Sequence, residues 1–446
     1  MRHTRHSLRG FTLVELMVSL LAGLIVTIAV VGLARAATTT FFEAARISTV
    51  ESTVRNASER LRQDLARASY MSTGNIRLAR DQAPGVPMAH RIAVSDPTSD
   101  TTGSRYNALK DLSGIRIIVG GSATGAIAGS GAEGPNLLSS NNGLTPDAII
   151  LGGNYTTDDS YQGTLATAVS NCGGHTIALN SAGDAAVRRI MAGATPIAGV
   201  LAAFAPVAGS SYAARVVDGR GCQHYAVLCS TVPVAIVGTV ATLHFAQSTS
   251  SGPAVIPPLA NNCGADPTEP VTVSPVQRVR WYIGPNTDAA LDPAPGVEVA
   301  GNKFNLYRDF LDAADPPLPI PASRQIVAEY AVDLKFGITV ADFTNALQVF
   351  DMDDPAAITN IGLWTQAAGG TMSGSPSPHR VRSVRFRVVT RAAVPDRQQS
   401  LSLPSDGPYL TRYCVENQVP ASCKSFARVR TIVSEVALMN QLGMTY

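Results

Sequence analysis

The chain opens with a short polar stretch, which is followed by a long apolar one. Residues 1–10 read MRHTRHSLRG, with three arginines and no acid, and the apolar run FTLVELMVSLLAGLIVTIAVVGLA extends from Phe11 to Ala34. As a helix, these 24 residues span about 36 Å at ~1.5 Å per residue. Because bilayer hydrocarbon is roughly 30 Å thick, the pattern predicts a transmembrane segment over residues 11–34.

After Arg35 the hydrophobic pattern becomes amphipathic. Steps of three and four residues join the apolar positions, which is the period of a helix with one buried stripe. The stripe consists of Ile47, Val50, Val54, Ala57, Leu61, Leu65 and Ala68. The remaining faces carry Glu51, Arg55, Glu59, Arg60, Arg62, Asp64 and Arg67, which we interpret as solvated. The pattern predicts one helix from 11 to about 71, ended by Gly74 and Asn75, whose second half packs on a globular head.

The rest of the chain has the patterns of strands. Residues 85–270 are rich in Gly, Ala, Ser and Thr and contain short apolar runs at Ile115–Val119, Ala148–Leu151 and Val232–Val240. These runs predict short strands and long loops, and the last is too short for a second membrane span.

From residue 271 onward, apolar and polar residues alternate more clearly. Val279, Trp281 and Ile283 alternate with Arg278, Arg280 and Tyr282, and Val384, Phe386 and Val388 alternate with Arg385 and Arg387. A period of two predicts a sheet with one buried and one wet face, and Trp281 and Trp364 are expected to be core or edge aromatics. The fold class is therefore α+β, with a long N-terminal helix, its first half transmembrane, packed on a β-sheet-rich globular head.

Composition narrows the classes of function. With 446 residues, of which 45% are hydrophobic and 15% charged, the chain has enough apolar material for a folded core. The formal net charge is +2, and loss of the three arginines in residues 1–10 would change it to −1. A nearly neutral chain gives no electrostatic reason to expect nucleic acid as a partner.

The sequence lacks the usual patterns of catalytic and metal sites. None of its seven histidines belongs to an HExxH pair, no GxSxG is present, and Gly120–Gly134 lacks the spacing of a phosphate-binding loop. Asp351, Asp353 and Asp354 do not match an EF-hand and are interpreted as a solvated turn. We therefore expect no enzymatic activity, no metal and no cofactor.

Six cysteines follow the apolar helix, which suggests disulfides in an oxidising compartment. Cys414 and Cys423 are nine positions apart and flank a polar segment with one proline, so we predict a bridge between them. The other four allow three pairings. Cys222 and Cys229 are also close in sequence, which makes Cys172–Cys263 the natural remainder.

The order of the N-terminal segments distinguishes this chain from an ordinary secretory protein. A secretory signal places its cleavage site after the apolar stretch, whereas here the candidate site, Gly10–Phe11, precedes it. The apolar helix would therefore remain after cleavage, with the basic end in the cytoplasm and the head exported. Glu15 interrupts the apolar stretch, and a carboxylate deep in hydrocarbon costs about 2.5–3.5 kcal/mol unless it is paired. A position at the headgroup level would also accommodate it.

The residues GFTLVE at Gly10–Glu15 resemble the cleavage and methylation motif of type IV prepilins. The resemblance implies that prepilin peptidase cleaves after Gly10, that residues 1–10 are a removed leader, and that the new N-terminal Phe11 is methylated. It also implies that Glu15 is the assembly carboxylate, which meets a free N-terminal amine when subunits pack into a filament.

The C-terminal half resembles the PilW family of minor pilins. The resembling segments, in chain order, are Arg278–Tyr282, Asn305–Arg308, Ile326–Tyr330 with Phe336–Gly337, the strand near Val384, and the run from Arg428 to Asn440. The expected organisation is a leader at 1–10, a pilin helix at 11–71, a Gly/Ser/Ala-rich region at 85–270 that would be an insertion, and a PilW-like domain at 271–446.

The resemblance implies a minor pilin of type IV pilus assembly, in a priming or tip complex. Implied partners are other minor pilins, the major pilin and a tip adhesin. The implied location is the inner membrane, as a single-pass protein with an exported head, and then the pilus at the cell surface. Two alternatives remain open: a minor pseudopilin of a type II secretion system, and a membrane-anchored module that binds a surface through residues 85–270.

Overall fold

The computed structural model describes residues 12–76, 109, 112–120, 144–169, 172–193, 195–219, 221, 223–246, 268–286, 303–313, 318–342, 344–366, 376–395, 412–415 and 425–442. These residues belong to two compact units, Met1–Ser52 and Thr53–Tyr446. The described part contains one long helix and two antiparallel sheets, so the α+β class expected from the sequence is confirmed.

Helix α1 runs from Leu13 to Ala66 and contains no proline. Its first part, in the first unit, has only exposed residues from 12 to 42. Its last part, in the second unit, buries Val54, Ala57, Leu61 and Leu65, as the spacing of the apolar positions predicts. The helix ends five residues before the predicted end at 71, because Ser69 and Met71 adopt left-handed backbone conformations with φ of 63° and 50°. Gly74 and Asn75 are therefore not its terminators.

The larger sheet contains eleven strands among the described residues. They are β1 (Ile115–Ile118), β2 (Ala148–Gly153), β3 (Tyr161–Val169), β4 (Gly173–Asn180), β5 (Ala213–Val217), β6 (Gln223–Val227), β7 (Val234–Val237), β8 (Val240–Ala246), β9 (Pro270–Pro285), β10 (Phe304–Leu311) and β11 (Gln325–Glu329). The main order is β1-β2-β9-β3-β4-β8-β7, with β10 and β5 also paired to β9. The 16-residue strand β9 therefore joins most of the sheet, and the expected boundary at 270–271 lies inside it.

The second sheet has five strands in the order β13-β12-β14-β16-β15. Their bounds are β12 (Ala331–Ala341), β13 (Leu347–Phe350), β14 (Val381–Arg391), β15 (Arg412–Cys414) and β16 (Phe426–Ala437). Four short α-helices and two 3-10 turns complete the described part. The α-helices are α2 (Ala185–Ile190), α3 (Pro196–Phe204), α4 (Ala357–Thr365) and α5 (Met439–Leu442), and the 3-10 turns are Pro321–Ser323 and Pro378–Arg380. The sequence reading of 85–270 as strands and loops missed α2 and α3.

Two large hydrophobic cores, accompanied by four smaller clusters among the described residues, hold the second unit together. The first joins the end of α1 to both sheets through Leu61, Trp281, Phe336 and Phe386, and it includes Trp364, so both tryptophans are core residues as expected. The second core lies among β3, β4, β5 and β8 and the helices α2 and α3.

The expectation of one wet sheet face is wrong for β9. Arg278, Arg280 and Tyr282 are buried like their apolar neighbours. Arg280 makes two hydrogen bonds to the carboxylate of Asp309, at 3.0 and 2.8 Å, and lies 4.0 Å from the centroid of the Tyr282 ring. Because the Arg280 guanidinium is paired with a carboxylate and stacked on a ring, it can be buried at low cost. The polar face of β9 is therefore covered by protein and not by water.

In β14 the two alternating arginines differ. Arg385 is exposed as expected, whereas Arg387 is buried between Asp333 at 3.0 Å and Asp353 at 2.6 Å. Asp351, Asp353 and Asp354 are exposed in a turn, as predicted, and Asp353 is in addition an ion-pair partner of Arg387.

Candidate functional site

The N-terminal end of α1 forms a capping box. The Thr12 hydroxyl accepts a hydrogen bond from the Glu15 amide at 3.3 Å. The Glu15 carboxylate, through Oε2, accepts from both the amide and the hydroxyl of Thr12 at 3.1 Å. This reciprocal pattern satisfies amides that have no partner inside the helix. Sequence analysis missed it, although Thr-x-x-Glu before an apolar run is its signature.

The remaining residues of the predicted processing site, Gly10 and Phe11, lie outside the described residues. Glu15 is exposed, and among the described residues its carboxylate is hydrogen-bonded only to Thr12. No described residue is hydrogen-bonded to its second carboxylate oxygen, Oε1. The Glu15 carboxylate is thus oriented by its own helix and can still accept a further hydrogen bond.

The apolar part of α1 is exposed in the described part of the chain. Its large side chains are more than half exposed: Leu13, Val14, Leu16, Met17, Val18, Leu20, Leu21, Leu24, Ile25, Val26, Ile28, Val30, Val31 and Leu33. Soluble monomers rarely expose continuous apolar surface of this extent, so lipid or other protein must cover it. By length and composition, α1 can cross a membrane.

A buried polar network holds the last part of α1 against the head. Asp64 accepts hydrogen bonds at Oδ2 from Arg308 Nε at 2.7 Å and from Trp281 Nε1 at 2.8 Å. Tyr155 donates its hydroxyl proton to the Asp64 carbonyl at 3.3 Å. The assignment of Asp64 to a solvated helix face is therefore wrong. Its partners come from β9, β10 and the segment after β2, which no local pattern reveals.

The end of α1 is also held by close contacts with neighbouring backbone and with α5. Asn440 donates from its side-chain amide to the carbonyls of Ala66 at 2.8 Å and Ala68 at 3.2 Å, which satisfies acceptors left free at the helix end. At Gly153 of β2, a Cβ atom would lie 2.6 Å from the Arg67 carbonyl oxygen, so this approach requires glycine. Within the second unit, the helix end is thus fixed from several sides.

The cysteine pairing differs from the prediction. Cys172 and Cys229 form a disulfide, with their Cα atoms 6.0 Å apart. The predicted pairs Cys222–Cys229 and Cys172–Cys263 are therefore both wrong.

The sheet explains why these two cysteines meet. Cys172 precedes β4, whose first residue Gly173 pairs with Ala246 of β8. Cys229 follows β6, and Leu228 bridges to Phe245 of the same strand β8. Both cysteines lie beside the same end of β8. The sheet therefore brings Cys172 to Cys229, although Cys222 is closer to Cys229 in sequence.

Cys414, in β15, is disulfide-bonded as well. Its predicted partner Cys423 lies outside the described residues, as do Cys222 and Cys263. The Cys414–Cys423 bridge stays a prediction.

Polar pairs elsewhere in the described part are enclosed rather than arranged around a cleft. His224 Nε2 lies 3.1 Å from Asp218 Oδ2, and both side chains are fully buried. Ser377 Oγ lies 2.8 Å from His379 Nδ1, and burial, with Arg380 and Arg382 nearby, lowers the pKa of His379 to about 3. Among the described residues, no group of three or more His, Cys, Asp or Glu side chains is placed to hold a metal ion.

Residues 5–31 match the family described as the prokaryotic N-terminal methylation motif. No curated protein matches the chain. Together with the exposed apolar helix, this match makes the chain a type IV prepilin-like protein, of the class that includes pilin-like and pseudopilin proteins.

Proposed function

We propose that this chain is a minor pilin of the PilW type that takes part in type IV pilus assembly, within a priming or tip complex. The observation that carries the proposal is the exposed apolar half of α1, whose first turn holds the Glu15 carboxylate in a capping box. Such a helix requires a membrane at one stage and neighbouring helices at another.

Glu15 has a specific part in this proposal. Prepilin peptidase cleaves between Gly10 and Phe11, which leaves a new amine close to the start of the helix, and methylates Phe11. In an assembly of parallel helices, the Glu15 carboxylate of one subunit neutralises the amine of another, because either charge alone in apolar surroundings is unfavourable. The hydrogen bond from the Thr12 hydroxyl orients the Glu15 carboxylate while the subunit is in the inner membrane.

The head is the exported part and faces outward in the filament. In this proposal the surface of the head contacts other minor pilins, the major pilin and a tip adhesin, while its two sheets and buried cores keep that surface folded. In this proposal the chain catalyses no reaction and needs no cofactor, because it acts by packing against other subunits.

The proposal is tested by deleting the gene in the native host and counting surface pili. We expect few or no pili, restored by the wild-type chain and by Ser19→Ala, because the Ser19 hydroxyl only donates to the Leu16 carbonyl of its own helix. Glu15→Ala should fail to restore them. Normal pilus numbers together with a defect in protein secretion would support the alternative, a minor pseudopilin of a type II secretion system.

A further inference from the structure

Strand β16 has an open edge over most of its length in the described part of the chain. β15 pairs only with the first residues of β16, since Arg412–Cys414 lie opposite Phe426–Arg428. From Val429 to Ala437, the described residues that pair with β16 all belong to β14, on its other side. An unpaired strand edge presents a row of backbone donors and acceptors with which another extended segment can pair.

The register of β16 shows which backbone groups face this open edge. The Leu438 amide donates to the Arg382 carbonyl of the β14 side at 2.8 Å. Bonding to one neighbour alternates along an antiparallel ladder, and the β14–β16 ladder has no register shift, so the even-numbered residues of β16 bond to β14. The groups that face the open edge are therefore the N–H and C=O of Thr431, Val433 and Glu435.

A groove of about 380 Å³ lies between this part of β16 and the last part of helix α1. We call it the α1–β16 groove. β16 lines it with residues 432–434, and α1 lines it with polar and charged side chains that include Arg55, Glu59 and Arg62. This volume is sufficient for a few side chains of a bound peptide.

The arginines determine the charge of the α1–β16 groove. Arg55 is exposed and forms no ion pair with any residue that the structure describes, whereas Glu59 lies 3.8 Å from Arg62. The one glutamate is thus accompanied by its own arginine, and Arg55 leaves the groove positive. Because a guanidinium binds a carboxylate through two parallel hydrogen bonds, acidic side chains complement this surface.

Val433 adds an apolar contact on the opposite face of the strand. Its side chain is 45% exposed, whereas the neighbouring Ile432 packs against the first core. Side chains of an added strand alternate between the two faces in the same way as those of β16. A residue opposite Val433 would therefore lie beside its side chain, and the residues before and after it would point toward α1 and its arginines.

We infer that the α1–β16 groove binds an extended acidic segment of another protein, which adds to β16 as an antiparallel strand, as β15 does further along the same edge. The segment carries an apolar residue opposite Val433 and an acidic residue on each side of it, and these face Arg55 and Arg62. A second copy of the chain fits less well, because two β16 edges paired about a two-fold axis would bring like arginines together. The inference goes beyond the proposed function, since it assigns the head a class of ligand that does not depend on the pilus.

The test uses the full chain in detergent micelles and the fluorescence anisotropy of labelled peptides. The peptide TTEVETT has the inferred pattern. Its controls are TTKVKTT, which reverses the charge, and TTEVETT with an N-methylated valine, which lacks the donor to the Val433 carbonyl. We expect saturable binding of TTEVETT with a Kd below about 1 mM, and at least roughly tenfold weaker binding of both controls. Equal binding of the N-methylated peptide would exclude strand addition, and absence of saturation by TTEVETT would overturn the inference.

Variants of α1 test the charge of the groove. Arg55→Glu combined with Arg62→Glu should weaken TTEVETT by at least roughly tenfold and strengthen TTKVKTT by a similar factor, and this gain shows that the variant is folded. Arg60→Ala is the control, because Arg60 is on the same helix, does not line the groove and is hydrogen-bonded to Gln325. It should change binding less than twofold. Unchanged binding of TTEVETT to the double variant would reject the acidic ligand.

Hydrogen–deuterium exchange locates the contact. Bound TTEVETT should slow exchange of the amides of Thr431, Val433 and Glu435. It should leave β13 unchanged, which lies at the other edge of the same described sheet and exposes Leu347 and Val349. Protection of β13, or no protection of β16, would contradict the inference. Dimerisation of the chain through β16 that TTEVETT cannot displace would make a second copy the occupant and would overturn it as well.

Discussion

Arg308 and Asp64 form a buried ion pair between residues that are 244 positions apart, with Arg308 Nε 2.7 Å from Asp64 Oδ2. The pair joins strand β10 to the last turns of helix α1, and Trp281 donates to the same carboxylate oxygen. It therefore fixes the end of the helix to the head from the inside of the first core.

Removal of one partner of this pair should be strongly destabilising, because the other charge would remain buried without compensation. We expect Asp64→Ala to lower the free energy of unfolding of the second unit by about 3–5 kcal/mol. The measurement is chemical unfolding of the full mature chain in detergent. Glu59→Ala is the matched control, since Glu59 lies on the exposed side of α1 and its contact with Arg62 is 3.8 Å long. A similar small change in both variants would show that the pair does not hold the helix.

The disulfide connectivity can be checked directly. Peptide mapping under non-reducing conditions should give a linked pair containing Cys172 and Cys229. Closure of this loop, which has a sequence separation of 57, should stabilise the head by about 4 kcal/mol, which Cys172→Ser with Cys229→Ser would remove. A peptide linking Cys222 to Cys229 would contradict the structure. The same map tests the predicted Cys414–Cys423 bridge.

His379 should make the stability of the head sensitive to acid. Burial, followed by the charges of Arg380 and Arg382, lowers its pKa from 6.5 to about 3, so the folded state favours the neutral imidazole. The contribution of His379 to the free energy of unfolding is therefore fully present above pH 6.5. It is lost progressively as the pH falls from 6.5 through about 3, because only the unfolded state binds the proton in that range. His379→Asn keeps an acceptor for Ser377 and should flatten the unfolding free energy over this range. Parallel pH profiles for the wild type and this variant would contradict the assignment.

The processing site lies outside the described residues and is tested by mass. We expect the chain extracted from membranes to begin at Phe11 with one added methyl group. An intact Met1 in cells with active prepilin peptidase would contradict the prediction, as would cleavage beyond Ala34. The family match over residues 5–31 is the basis of this expectation.

Local patterns predicted the parts of the fold that depend on local physics. The steps of three and four residues through Val54, Ala57 and Leu61 identify the buried helix stripe, because side-chain period and burial are linked within one helix. The apolar run that precedes this stripe in α1 is equally evident from the sequence. The Thr12–Glu15 capping box could also have been predicted, since its spacing is local.

Long-range contacts explain what the sequence could not show. Asp64 resembles its charged neighbours Arg62 and Arg67, and only the distant Arg308 makes its burial favourable. Cys229 is close in sequence to Cys222 but is paired with Cys172 by the sheet. In each case the deciding partner is set by topology, which no periodicity encodes.

Recovery of the chain in filaments sheared from cells tests the central claim most directly. Wild type, Glu15→Ala and the control Ser19→Ala are each expressed at native level, and the sheared and membrane fractions are compared. The account predicts that all three are processed at Gly10, that wild type and Ser19→Ala are found in the sheared filaments, and that Glu15→Ala is depleted there by at least roughly tenfold while it accumulates in the membrane. Equal recovery of Glu15→Ala and wild type in the filaments, or absence of the wild-type chain from them, would contradict it.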